Sequence, residues 1–125
     1  MLIDTSVWIE YFKGTKLGLK LKDKIESGQL LFINPLTIAE LTQWSEKNSL
    51  DTKKILEFVY ANCKVLNLSN DILEFAGKNY NTLRQIKTKI GLIDVIIYVS
   101  AIINNLVLLT KDYDFNGLTG VELLI

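Results

Sequence analysis

Five acidic residues stand where a short apolar run ends or where an apolar, helix-like segment begins: Asp4, Glu40, Asp94, Asp112 and Asp114. The chain has no His and a single Cys, Cys63. This removes Ser-His-Asp and Cys-His catalysis and any His general base, and it leaves a structural zinc site almost without ligands. Chemistry must therefore run on carboxylates, hydroxyls, Lys and Arg. Carboxylates drawn together repel one another unless a cation intervenes. An oxygen-only donor set suits hard cations such as Mg²⁺ or Mn²⁺. Ions held by a few carboxylates typically act on phosphates, activating a water and stabilising the leaving oxygen, with two ions ~3.5–4 Å apart.

Each acid also has a plainer role open to it. Asp4 precedes a helix-like segment and can serve as an N-cap. Thr37-Ile38-Ala39-Glu40 fits a capping box, in which hydroxyl and carboxylate satisfy each other's backbone donors. Asp94 lies in Gly91-Leu92-Ile93-Asp94-Val95-Ile96-Ile97 and should be partly buried among branched side chains. A helix N-terminus offsets only ~0.3–1 kcal/mol of the cost of such a charge. The remainder asks for a metal cation, a pair with Arg84, Lys87 or Lys89, or a capping role. Asp112 and Asp114 also suit a solvated turn, with Thr110 as a turn-forming hydroxyl. The five weigh more as a group, because separate segments each bring an acid to a strand end or a helix start.

Charge points the same way. Fourteen Lys+Arg balance fourteen Asp+Glu, but without these five acids nine remain, a remainder of +5. Lys13, Lys16, Lys20, Lys22 and Lys24 form one basic run, and Arg84, Lys87 and Lys89 another. They are candidate guides for a polyanion, or else solvated helix faces.

The elements that must position these groups are legible from the apolar pattern. The runs Met1–Ile3, Leu30–Ile33, Val65–Leu66, Val107–Leu109 and Val121–Ile125 suit buried strands. Helical periodicity is predicted over 6–12, 17–25, 37–47, 51–62, 72–86 and 91–104. The last of these is apolar nearly all round, which predicts burial between other elements. Alternation of this kind predicts an α/β fold with a central, mostly parallel five-stranded sheet, the first strand central and helices on both faces. Ligands in such folds bind beyond the carboxyl ends of the strands.

The length of 125 residues predicts one domain, 1–125; 49% apolar and 22% charged residues exclude a disordered chain. The carboxylate of Asp4 comes before any signal-peptide core could form. The most apolar stretch, Leu92 to Ile103, contains Asp94 and closes at Asn104-Asn105, short of the about 20 residues that a membrane span needs. A cytoplasmic protein is the expectation, and the lone thiol agrees.

Four motifs together carry a resemblance: Leu2-Ile3-Asp4-Thr5-Ser6-Val7, Thr37-Ile38-Ala39-Glu40-Leu41, Gly91-Leu92-Ile93-Asp94 through Ser100-Ala101, and Leu108-Leu109-Thr110-Lys111-Asp112-Tyr113-Asp114-Phe115. In this order and spacing the chain resembles a PIN-domain ribonuclease of the VapC toxin type, over essentially its whole length. The resemblance implies that Asp4, Glu40, Asp94 and Asp112 hold Mg²⁺ or Mn²⁺ for RNA hydrolysis. Thr5 and Ser6 belong to the opening signature, Thr110 would position the attacking water or the loop, and Asp114 would be a supporting carboxylate. Lys13, Lys16, Arg84 and Lys87 are the RNA-binding candidates. A small VapB-type antitoxin and a second copy of the chain are the implied protein partners. The four acids are expected to lie close together, their pKa values raised by mutual repulsion.

Three other readings compete. A receiver-like phosphoacceptor domain would need an early acidic pair, which is missing. An aspartate-based phosphatase of the haloacid-dehalogenase type also begins with strand-Asp, but needs a second Asp where Ser6 stands. A catalytically silent PIN-like module would bind RNA or protein without cutting, and the four acids argue against it. Trp8, Tyr11, Phe12 and Trp44 are either contacts of a symmetric dimer or core residues.

Overall fold

The computed structural model describes residues 1–125. The elements run β1 (Leu2–Ile3), α1 (Thr5–Lys13), α2 (Lys16–Glu26), β2 (Phe32–Ile33), α3 (Pro35–Lys47), α4 (Thr52–Asn62), β3 (Lys64–Val65), α5 (Asn70–Ile86), α6 (Leu92–Ile103), β4 (Leu108–Thr110), a 3₁₀ turn (Tyr113–Phe115) and β5 (Val121–Leu123). The strands form one sheet in the order β3-β2-β1-β4-β5, with every pair parallel. The first strand is central, as its sequence position beside the first acid predicts.

The sheet is covered on both faces, and neighbouring strand residues show how. Leu2 and Leu108 belong to one apolar core, with Ile72 and Ala76 of α5 and Val95 and Val99 of α6. Ile3 and Leu109 belong to the other, with Val7 and Trp8 of α1, Leu21 of α2, Leu41 of α3 and Val59 of α4. Successive strand side chains point to opposite faces, so Leu2-Ile3 and Leu108-Leu109 each serve both layers. A parallel sheet buried on both faces requires this doubly apolar pattern.

Local chemistry sets the helix ends. α1 stops at Gly14, which takes φ 72° in the left-handed region and returns its N–H to Glu10 and Tyr11 carbonyls. Thr15 then caps α2 by accepting from the Gly18 N–H at 3.2 Å. Gly18 is needed for a different reason: a Cβ there would lie 2.4 Å from the Glu10 carbonyl oxygen, so α1 and α2 meet backbone to backbone.

Three expectations change. α3 begins at Pro35, capped by Asn34 through its bond from the Leu36 N–H at 2.9 Å. Proline at the first helical position lacks the N–H that would otherwise go unpaired. The Thr37–Glu40 capping box does not form, and Glu40 sits in the second turn. α6 is buried along Val95, Ile97, Val99 and Ala101, but its ends are open: Leu92, Ile93, Ile102 and Ile103 are exposed. Trp8 is fully buried, and with Tyr11, Phe12 and Phe58 it forms an aromatic cluster with ring centroids 5.2–6.5 Å apart. These rings and Trp44 pack on the core of this chain, so Trp8 offers nothing to a dimer contact.

Candidate active site

Asp4 follows the central strand at the N-cap position of α1, yet its side chain caps nothing. Its Oδ2 accepts from Ser6 Oγ at 2.7 Å and from Thr110 Oγ1 at 2.8 Å. The carboxylate is thus 7% exposed but held by two hydroxyls, one from its own helix and one from the end of β4. The same hydroxyls accept from the next loop: Lys111 N–H donates to Ser6 Oγ and Asp112 N–H to Thr110 Oγ1, each at 3.0 Å. Asp112 caps the 3₁₀ turn through Oδ1, which accepts from Asp114 N–H at 2.9 Å.

Glu40 reaches the same edge from α3. Thr5 Oγ1 donates to its Oε1 at 2.6 Å and lies 3.2 Å from Thr37 Oγ1. Asp94 arrives from the other layer, in the first turn of α6, where its Oδ2 accepts from Gly91 N–H at 3.1 Å. The capping role is therefore real for Asp94, although no cation pairs with it. The three ion pairs of the molecule are Lys22–Glu26, Lys54–Asp51 and Lys111–Glu10. The two layers are locked together nearby, Asn34 Nδ2 donating to Ser100 Oγ at 2.9 Å across buried ground.

The electrostatics reveal how the acids converge. Burial raises the Glu40 pKa above the usual Glu value; the Thr5 bond opposes this, and the charges of Asp4 and Asp94 add to the rise. Burial likewise raises that of Asp94, opposed by the Gly91 bond and reinforced by Asp112, Asp4 and Asp114. Although the Glu40 residue as a whole is solvent-exposed, its carboxylate faces the other acids. Desolvation, not repulsion, is the leading cause in both groups, which corrects the expectation from sequence. A second correction concerns spacing: no three of these carboxylates are close enough to share one ion as they stand. The donor set nevertheless fits a hard cation in kind, being all oxygen and unneutralised.

Of the basic candidates, Lys87 and Lys89 line a pocket of about 250 Å³ with Asp114, and Lys87 Nζ donates to the Asn116 carbonyl. Arg84 bonds Tyr80 Oη and the Ile90 carbonyl. Lys13 closes α1 and Lys16 opens α2. Lys13 is nine positions after Asp4, so it stands about 13 Å along α1, away from the acids.

Sequence reasoning did not single out Glu10, Lys111, Asn34 or Ser100. Glu10 carried a signal, a carboxylate between the apolar residues Val7 and Tyr11, but its partner lies 101 positions away.

A family model described as PIN domain matches residues 1–120. The chain belongs to the PIN domain family. Two solved structures are similar over nearly their full length. One is a toxin-antitoxin complex from Klebsiella pneumoniae, 27% identical, covering 99% of this chain and 97% of that chain with a TM-score of 0.77. The other is VapBC2 from Rickettsia felis bound to a DNA fragment from their promoter, 19% identical, covering 98% and 95% with a TM-score of 0.75. The second likeness is one of fold. No functionally curated protein matches the chain.

Proposed function

We propose that this PIN domain is a Mg²⁺- or Mn²⁺-dependent endoribonuclease and the toxin of a VapBC-type toxin–antitoxin pair. One observation carries the reading: Glu40 on α3 feels the charges of Asp4 and Asp94, Asp94 on α6 feels those of Asp112, Asp4 and Asp114, and no cation is paired to any of them. Asp4, Glu40, Asp94 and Asp112 are the residues that would hold the ions, with Asp114 beside them. The ions would supply water activation and charge stabilisation at phosphorus. The chain's own residues do the rest. Ser6 and Thr110 fix the Asp4 carboxylate, Thr5 fixes Glu40, and Lys87 and Lys89 beside Asp114 offer positive charge to an RNA backbone.

The likeness to a chain from a toxin-antitoxin complex, at 27% identity over almost the full length of both, supports a small antitoxin as partner. The exposed apolar side chains Phe75, Ile86, Leu92 and Ile93 offer surface for a second copy, a state that sedimentation at high micromolar concentration tests. No helix is long and apolar enough to cross a membrane, and action in the cytoplasm is part of the same proposal.

The test is cleavage of total RNA with Mn²⁺ or Mg²⁺, wild type beside Asp94→Asn, with an EDTA control. Metal-dependent cleavage that Asp94→Asn loses while remaining folded is the expected result. Equal cleavage by the variant at saturating metal removes the assignment of the site. Cleavage that survives EDTA removes the metal. Metal and RNA binding with no cleavage favours a silent binding module.

A further inference from the structure

Glu10 is a buried carboxylate for which the proposed chemistry has no use. Its side chain is 6% exposed, and it lies on α1 behind the site. Oε1 accepts from Lys111 Nζ at 2.5 Å and Oε2 from Thr15 Oγ1 at 2.5 Å. The α2 side of this arrangement is rigid, since Thr15 caps α2 and Gly18 presses on the Glu10 backbone. Both oxygens are thus engaged, and these bonds hold the Glu10 pKa below the ordinary Glu value.

Lys111 is the residue between Thr110 and Asp112. The segment is extended there, with Asp112 at φ −73° and ψ 114°, and neighbouring side chains of extended chain point to opposite sides. Thr110 turns toward Asp4 and Asp112 makes itself felt at Asp94, whereas Lys111 turns the other way to Glu10. The loop carrying Asp112 therefore has two anchors. Its backbone hangs from the Ser6 and Thr110 hydroxyls, and its Lys111 side chain is tied to Glu10.

The pair also keeps a cation out of the site. Lys111 is the nearest ammonium in sequence to Asp112, on a long flexible stem, and without Glu10 it could swing to the unneutralised acids. There it would compete with any divalent ion. On the nuclease reading above, we infer that Glu10 and Lys111 form a positioning pair, which aims Asp112 into the acidic edge and withholds the Lys111 ammonium from it. α1 and α2 are also packed through Val7, Trp8 and Leu21. Removing Lys111 alone leaves the Glu10 carboxylate buried without its cation, which costs stability, so affinities are compared among variants shown to be folded.

The experiment compares Glu10→Gln, Lys111→Met, Lys111→Arg and the double variant Glu10→Gln/Lys111→Met. Mn²⁺ affinity by direct titration, metal dependence of RNA cleavage and metal-free amide exchange at Lys111 and Asp112 are read on each. Lys111→Met is expected to weaken Mn²⁺ binding about tenfold, the scale for losing a group that orients a ligand. Glu10→Gln is expected to weaken it further, because it releases the ammonium, and the double variant to return to the Lys111→Met level. Lys111→Arg restores most of the affinity. Asp51→Ala, which removes the α4 cap far from the site, lowers stability without moving the Mn²⁺ affinity. Exchange at Lys111 and Asp112 should quicken in Lys111→Met. Folded Lys111→Met with wild-type Mn²⁺ affinity overturns the inference. Should wild type bind Mn²⁺ and leave RNA intact, the nuclease reading fails while the pair's effect on affinity still stands. If it binds no metal, unchanged exchange in Lys111→Met overturns the pair.

Discussion

Thr110→Val tests whether the hydroxyl cradle around Asp4 holds the acidic edge together. Valine keeps the shape of threonine and its preference for a strand, so the perturbation is the loss of one oxygen. Two short bonds go with it, and a long contact with Ser6 Oγ at 3.4 Å. The bond to Asp4 Oδ2 at 2.8 Å is buried and charge-assisted, contributing ~1.5–3 kcal/mol, and the bond accepted from the Asp112 N–H contributes ~0.5–1.5 kcal/mol. Asp4 keeps its bond from Ser6 at 2.7 Å, which places the loss in the lower part of that range, about 2–3 kcal/mol. Urea unfolding of the metal-free protein at neutral pH measures it. With a slope of about 1–3 kcal/mol per molar, the midpoint should fall by roughly 1–2 M. Thr110→Ser, which retains the hydroxyl, should recover most of the loss. A Thr110→Val variant within about 0.5 kcal/mol of wild type, the ordinary scatter of surface substitutions, would refute the reasoning. So would a Thr110→Ser variant as damaged as Thr110→Val.

Stability of the metal-free protein should carry two opposing pH limbs. Glu40 and Asp94 have raised pKa values, so the folded state binds more protons between their unfolded values of 4.5 and 3.8 and their folded ones. Stability should fall as pH rises through that window, and Asp94→Asn should flatten the fall. The Glu10 pKa is lowered, so its contribution is present above 4.5 and is lost as pH drops through the folded value. Glu10→Gln should flatten that acid limb in the same urea titration. Gly18→Ala places a Cβ 2.4 Å from the Glu10 carbonyl oxygen and should cost about 2 kcal/mol or more by thermal unfolding; an unchanged Tm would show that α1 and α2 part easily. Trp8→Phe should cost less than the ~3–5 kcal/mol of truncating such a ring to alanine, because the buried Trp8 Nε1 has no acceptor and its removal returns about 1–3 kcal/mol. A loss as large as that of Trp8→Ala would contradict this.

The architecture was readable because each strand is a short apolar run between helical periods, and the parallel sheet follows from that alternation. The start of α3 was readable too, in Asn34-Pro35, but the competing Thr37–Glu40 pattern satisfied the same local rule. Only the tertiary bond from Thr5 shows where the Glu40 carboxylate goes. Helical periodicity gave α6 an apolar surface all round but not which part the neighbouring elements leave bare. The aromatic residues of α1 could not be divided between core and interface, since Phe58, the ring that closes their cluster, comes from α4. The four principal acids were visible from type and spacing. The pairings of Glu10 with Lys111 and of Asn34 with Ser100 were not, because local pattern gives Asn34 a capping role and Ser100 a bond to its own helix but names no distant partner. Their partners are 101 and 66 positions away.

The central position of β1 has a consequence for synthesis. Leu2 and Ile3 pair with Leu108 and Leu109, and Asp4 takes a bond from Thr110, 106 residues downstream. Contacts this distant in sequence form late, after the loop-closure entropy of the whole intervening chain has been met. A nascent chain that has not yet released residues 108–114 lacks the β4 neighbour of its central strand, the hydroxyl that holds Asp4, and Asp112 itself. On the nuclease reading, the acidic edge is therefore incomplete while the chain is being made and assembles only when the β1–β4 pairing closes.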